Sequence, residues 1–149
     1  MFKRKLLLAD DSITIQKVVN LTFADEGIEV IAVGDGNAAI EAFDASRPDI
    51  VLADVHMPGP NGYQVCEHIR RTAGPAFPVI LLVGSFEAYD ERAAEQAGAT
   101  LKLTKPFHSI RELVSRVTEL IEGQQRPEIP LAAAADTPVS PETADITDL

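Results

Sequence analysis

Four apolar runs in this chain each end on a polar side chain, and that recurrence constrains the fold more than any other feature. Lys5-Leu6-Leu7-Leu8-Ala9 meets the acid pair Asp10-Asp11, and Pro48-Asp49-Ile50-Val51-Leu52-Ala53 meets Asp54. Pro78-Val79-Ile80-Leu81-Leu82-Val83 stops just short of Ser85, and Thr100 to Thr104 ends on Lys105, followed by Pro106. Short apolar runs bounded by turn residues fit strands covered on both faces. In an open parallel sheet the C-terminal ends of the strands share one edge, the edge at which such folds bind ligands.

Helical period fills the intervals. Ile15, Val18, Val19 and Phe23 fall on one face, with Ser12 placed to cap it. Ile110, Leu113, Val114, Val117 and Ile121 form a second such face, followed by Gly123 as a stop signal. Shorter helices are predicted over 37–45, 62–71 and 87–97, and a further strand near 29–33. Five strand–helix units with short connections predict a doubly wound α/β fold with three α/β/α layers. The expected sheet has five parallel strands in the flavodoxin-like order 2-1-3-4-5.

Composition narrows the function classes. With 149 residues and 46% hydrophobic content the chain supports one domain with a proper core. A net charge of −10 argues against direct nucleic-acid binding by this chain, which needs a basic face. The basic start, Lys3-Arg4-Lys5, runs into an apolar stretch too short for a signal peptide, and no segment has the length of a membrane span. The one cysteine, Cys66, cannot form an internal disulfide and fits a reducing, cytoplasmic setting, with a packing role in its helix. From Gln124 onward four prolines, an alanine run and five acids against one arginine replace the periodic pattern. Residues 1–123 are therefore read as the domain and 124–149 as a flexible acidic tail or linker.

Asp10, Asp11 and Asp54 would place three carboxylates at one sheet edge. Oxygen-only donors suit Mg²⁺, which keeps several waters and commonly takes one or two carboxylates plus phosphate. No His or Cys spacing suggests zinc. His56, two residues after Asp54, can offer its backbone carbonyl; His68 and His108 are scattered. A carboxylate can attack a phosphoryl group, and Asp54 on the central strand is the candidate nucleophile. Ser85 can donate to a phosphoryl oxygen and Lys105 can supply a charge-assisted contact. Taken singly, the Asp pair reads as a cap, Asp54 as a turn residue, Ser85 as the N-cap of a helix near Glu87 and Lys105 as surface. Their recurrence at successive strand ends is what chance does not explain.

Leu-Leu-Ala-Asp10-Asp11-Ser, Ile-Val-Leu-Ala-Asp54-Val-His-Met-Pro58-Gly-Pro-Asn-Gly62, Ser85 and Lys105-Pro106-Phe107 together resemble the receiver domain of two-component response regulators, over roughly Lys5 to Gly123. The resemblance implies a chemotaxis-regulator-like phosphoacceptor, not an enzyme acting on a separate substrate. Asp54 would be the phosphorylation site, with Ser85 and Lys105 assisting. Asp11 would bind Mg²⁺ directly, Asp10 mainly through water, and Asp54 and the His56 carbonyl would complete the protein ligands. It further implies a cis Lys105-Pro106 bond and a sensor histidine kinase or phosphotransfer protein as donor. A downstream target or output domain would read the state, and a homodimer would use the face of the fourth helix, fifth strand and fifth helix. The tail composition favours an N-terminal piece of a longer protein over a free-standing regulator.

Two positions depart from the family pattern. An aromatic residue usually precedes the lysine by three positions; here that residue is Lys102. The residue after the hydroxyl is usually small; here it is Phe86, which either shields the phosphoryl group or packs beneath the fourth helix. Both departures lend some weight to the alternative of a pseudo-receiver, a phosphorylation-independent interaction module. A haloacid-dehalogenase-type phosphatase is disfavoured because His56 stands where a second Asp is needed, and no P-loop motif is present.

Overall fold

A computed structural model describes residues 4–125. The elements alternate as expected: β1 (Arg4–Ala9), α1 (Ile13–Ala24), β2 (Ile28–Val33), α2 (Gly36–Ser46), β3 (Ile50–Asp54), α3 (Gly62–Ala73), β4 (Val79–Gly84), α4 (Glu91–Ala97), β5 (Leu101–Lys105) and α5 (Ile110–Gln125). The strands form one parallel sheet in the order β2-β1-β3-β4-β5. This is the expected flavodoxin-like arrangement.

Strand alternation divides the core in two. Leu6, Leu8, Ile50, Leu52, Ile80 and Leu82 face α1 and α5, meeting Val19, Phe23, Leu113, Val117 and Ile121. Leu7, Ala9, Val51, Ala53, Val79 and Leu81 face α2, α3 and α4, meeting Phe43, Val65, Ile69, Ala94 and Ala97. Each fully buried leucine or isoleucine contributes about 1.5–3 kcal/mol. Because β1 and β3 are buried on both faces, their C-terminal ends are fixed in depth, and the acids that follow them inherit that position.

Cys66 belongs to this core, its thiol donating to the Ala97 carbonyl at 3.3 Å. Burial pushes the thiol up to about 11 from its ordinary 9.0. A raised value on an acid means that its stability contribution is whole below pH 9 and declines as pH climbs toward the folded value. A thiol-directed alkylating reagent at mildly alkaline pH should therefore leave the native protein unmodified and label it fully after denaturation; rapid native labelling would contradict the packing role.

Two predicted boundaries are corrected. The fourth helix starts at Glu91, not near Glu87, because Asp90 is its cap, accepting from the Ala93 N–H at 3.0 Å. Glu87 instead turns back onto the Gly84 N–H at 2.8 Å, leaving 85–89 as a loop. Gly123 does not stop the last helix, which runs through Gln125. An interior helical glycine costs about 1 kcal/mol relative to alanine, and good helix formers flank this one. The tail read from Gln124 lies outside the described residues beyond the end of α5. Among the described residues no helix is long and apolar enough to cross a membrane.

Candidate functional site

The site is built by four strand ends. At the end of β1, the Asp10 N–H continues the sheet by donating to the Val33 carbonyl at 3.0 Å. The Asp10 carboxylate accepts from the Ser12 N–H at 2.9 Å, and Gln16 Nε2 donates to the Asp10 carbonyl at 2.7 Å. Ser12 then caps α1 as predicted, its hydroxyl accepting from Ile15 N–H. Asp10 is completely buried, whereas Asp11 is exposed.

Asp54 closes the central strand, nearly as buried as Asp10. Its carboxylate accepts from the His56 N–H at 3.2 Å. The loop that follows is pinned at its far end by a reciprocal cap, in which Asn61 accepts from Gln64 N–H at 3.0 Å and Gln64 accepts from Asn61 N–H at 2.9 Å. Gly62 sits so close to the strand end that a Cβ there would lie 2.6 Å from the Asp54 carbonyl oxygen. Only glycine permits that approach.

Lys105 reaches from the edge strand across β4, and its ammonium bridges Asp10 and Asp54 at 2.9 Å each. Carboxylate oxygens of Asp10, Asp11 and Asp54 all lie within 4.8 Å of one another. Burial pushes the Asp54 carboxyl above its ordinary value, which hydrogen bonds from Lys105 and His56 N–H offset only in part. Burial also acts to lower the Lys105 pKa, but the hydrogen bonds to Asp10 and Asp54 outweigh it and hold the ammonium above its usual value. A buried pair of acids held by one cation is short of positive charge. Three clustered oxygen donors with an ammonium already spanning two of them fit a small, hard divalent cation. The Lys105-Pro106 bond is cis, as the resemblance implied.

Ser85 and His56 are placed less directly. Both the N–H and the hydroxyl of Ser85 donate to the Lys105 carbonyl, at 3.0 and 2.9 Å, so its hydroxyl serves neither the acids nor a helix cap. The His56 ring turns away from the acids and donates from Nε2 to the Ala88 carbonyl at 3.1 Å. Only its backbone remains available at the acid cluster. Phe86 is fully exposed, which removes the reading that it packs beneath α4. Lys102 gains an aromatic partner from elsewhere: its ammonium lies 4.5 Å from the centre of the Tyr89 ring. Sequence reasoning missed Tyr89 and Tyr63, whose hydroxyl accepts from the Asp90 N–H at 2.9 Å. Together with His56 and Lys102 they line an open cleft of about 650 Å³ beside the site. No spacing rule announces such a cluster, because its members come from two loops, a helix and a strand.

A five-stranded parallel sheet with three acids and a bridging lysine at its C-terminal edge defines the receiver class of signalling domains. Residues 6–118 match the response regulator receiver domain family, and the chain belongs to it. It is 32% identical over 125 residues to a probable transcriptional regulator, ycf27, of Cyanophora paradoxa, covering 84% of this chain and 51% of that protein. The chain thus spans about half the length of the curated relatives it matches. Among solved structures, a putative response regulator from Chloroflexus aurantiacus superposes with a TM-score of 0.73 at 30% identity, covering 81% of this chain and 99% of that one. The receiver domain of the sensor histidine kinase PA1611 from Pseudomonas aeruginosa, solved with magnesium coordinated in its active-site cleft, superposes with a TM-score of 0.72 at 29% identity, covering 81% and 99%.

Proposed function

We propose that this chain is a phosphorylation-controlled receiver in which Asp54 accepts a phosphoryl group from a histidine kinase or phosphotransfer protein. The observation that carries the reading is the position of Asp54, buried at the end of the central strand, bonded to Lys105 and clustered with Asp10 and Asp11. A carboxylate oxygen of Asp54 attacks phosphorus, and the bond to the donor's imidazole nitrogen breaks with its electron pair leaving on that nitrogen. Lys105 holds the Asp54 carboxylate in place and meets the negative charge that builds on the phosphoryl oxygens. The acids Asp10, Asp11 and Asp54, with the His56 carbonyl, would hold Mg²⁺, which when bound neutralises charge on the transferring group. The chain's role is that of a regulatory phosphoacceptor, at most catalysing its own phosphorylation and dephosphorylation.

Ser85 supplies the switch. Its hydroxyl rests on the Lys105 carbonyl and must leave that partner to donate to a phosphoryl oxygen. The exchange draws the 85–89 loop inward and biases the face formed by α4, β5 and α5. A partner or output domain reads that face, and a homodimer would form there. The curated relatives, one named a probable transcriptional regulator and others DNA-binding response regulators, each about twice the matched length, support a separate output domain over direct action on DNA by an acidic receiver. In this reading the receiver extends to the end of α5 at Gln125 and the residues beyond it connect to that output.

The test is intact-protein mass spectrometry after incubation with a small-molecule phosphodonor, with and without Mg²⁺. A Mg²⁺-dependent phosphoryl adduct on the wild type supports the reading. A folded protein that takes up none would make it a phosphorylation-independent interaction module.

Phe86 offers a kinetic check. Since the ring is fully exposed, Phe86→Ala is expected to leave the thermal midpoint nearly unchanged, within the roughly ±0.5 kcal/mol typical of surface substitutions. If the ring folds over the phosphoryl group once the loop moves inward, the variant loses its phosphoryl group several-fold faster. An unchanged lifetime, followed by mass spectrometry after donor removal, would end the shielding idea.

A further inference from the structure

The loop between β3 and α3 carries the His56 carbonyl, yet its middle is held by a different element. The Gly36 N–H, at the first position of α2, donates to the Pro58 carbonyl at 3.0 Å. A Cβ on Gly36 would lie 1.9 Å from the Pro60 carbonyl oxygen and 2.8 Å from the Pro60 Cβ, an overlap that backbone atoms cannot relieve without moving. Gly59 meets the same turn: it adopts a φ of +74°, and a Cβ there would lie 3.4 Å from Asn37 Nδ2. The preceding β2 end also secures Asp10 through the Val33 carbonyl. The β2–α2 junction thus contacts both halves of the acid site while contributing no ligand to it.

We infer that Gly36 is a positioning residue for the cation site: by having no side chain it lets the first turn of α2 seat the 55–61 loop where the His56 carbonyl completes the ligand set. This rests on the reading that Asp10, Asp11 and Asp54 bind a divalent cation. Val55 and Met57 of the same loop pack into the core on the side of α2, α3 and α4. A displaced loop should therefore lower the thermal midpoint as well as weaken ion binding, as the loss of partners outside the direct ligands commonly does.

Calorimetric titration of the full chain with Mg²⁺, alongside thermal midpoints in chelator, tests it. Gly36→Ala is expected to bind Mg²⁺ at least about tenfold more weakly, the lower end of what such outer partners cost. Phosphorylation by a small donor should need correspondingly more Mg²⁺ but reach the wild-type rate at saturation. Gly34→Ala, two residues away, is the control: its Cβ would meet only Gln16 Nε2 at 3.9 Å. Its affinity should stay within about twofold. If Gly36→Ala does not fold, Gly59→Ala strains the same loop through its φ of +74° and should also weaken Mg²⁺ binding. A folded Gly36→Ala with wild-type affinity, or one with only a lowered midpoint, overturns the inference and leaves the cation site standing. Wild-type protein that binds no Mg²⁺ overturns the reading beneath it, and the inference with it.

Discussion

Replacing Lys105 with methionine should destabilise the metal-free protein by about 3–5 kcal/mol, the usual cost of removing one partner from a buried ion pair. Its ammonium is largely buried and bridges two carboxylates that have no other cation within bonding distance among the described residues. Methionine keeps most of the side-chain bulk, so the loss is one of charge. For a chain of this size the thermal midpoint should drop by roughly 10 °C. The sign of the pH dependence follows from the raised Lys105 pKa. The bridge is fully formed at neutral pH and is lost only as alkaline pH passes that raised value. Acidification should narrow the gap between variant and wild type, because protonating Asp54 removes one of the facing charges. Excess Mg²⁺ should narrow it too, by supplying positive charge to the same oxygens. A variant as stable as wild type in chelator would show that the bridge contributes nothing net to the fold.

Asp54→Asn should abolish phosphoryl uptake completely while leaving the metal-free protein at least as stable as wild type. The two effects have one origin. Burial raises the Asp54 pKa, so its ionised form is disfavoured in the folded state. For an acid with a raised folded value, the stability it contributes is whole below the ordinary 3.8 and is lost as pH rises through the folded value. At neutral pH wild type therefore carries a penalty that asparagine, neutral and nearly the same shape, does not. Denaturation at neutral and acid pH, beside the mass-spectrometric assay, checks both halves. An adduct that survives in the asparagine variant would move the phosphoacceptor elsewhere. A lower midpoint at neutral pH would mean that the Lys105 contact outweighs the cost of burial.

Much of this was legible in the chain, for a definite reason. β1, β3 and β4 are buried on both faces, so their sequences are nearly pure runs of Leu, Ile, Val and Ala that end abruptly where the edge begins. Residues at such ends have one place to go, which is why Asp10, Asp11, Asp54 and Lys105 could be brought together from strand order alone. The α1 cap at Ser12 was readable because capping depends on neighbours three residues apart.

The loops were not legible in the same way. Ser85, expected to cap α4 near Glu87, instead has its hydroxyl on the Lys105 carbonyl of the neighbouring strand, while Glu87 turns locally onto the Gly84 N–H and Asp90 caps the helix. The His56 ring, free by sequence to face the acids, was drawn to the Ala88 carbonyl. Lys102 found Tyr89, and Gly36 met Pro60 across the sheet edge. Sequence determined the fold and the identity of the charged groups, because hydrophobic period and strand ends are properties of short stretches. Only the tertiary structure decided where hydroxyls, imidazole and loop backbone point, because those directions depend on donors and acceptors that chain order does not bring together.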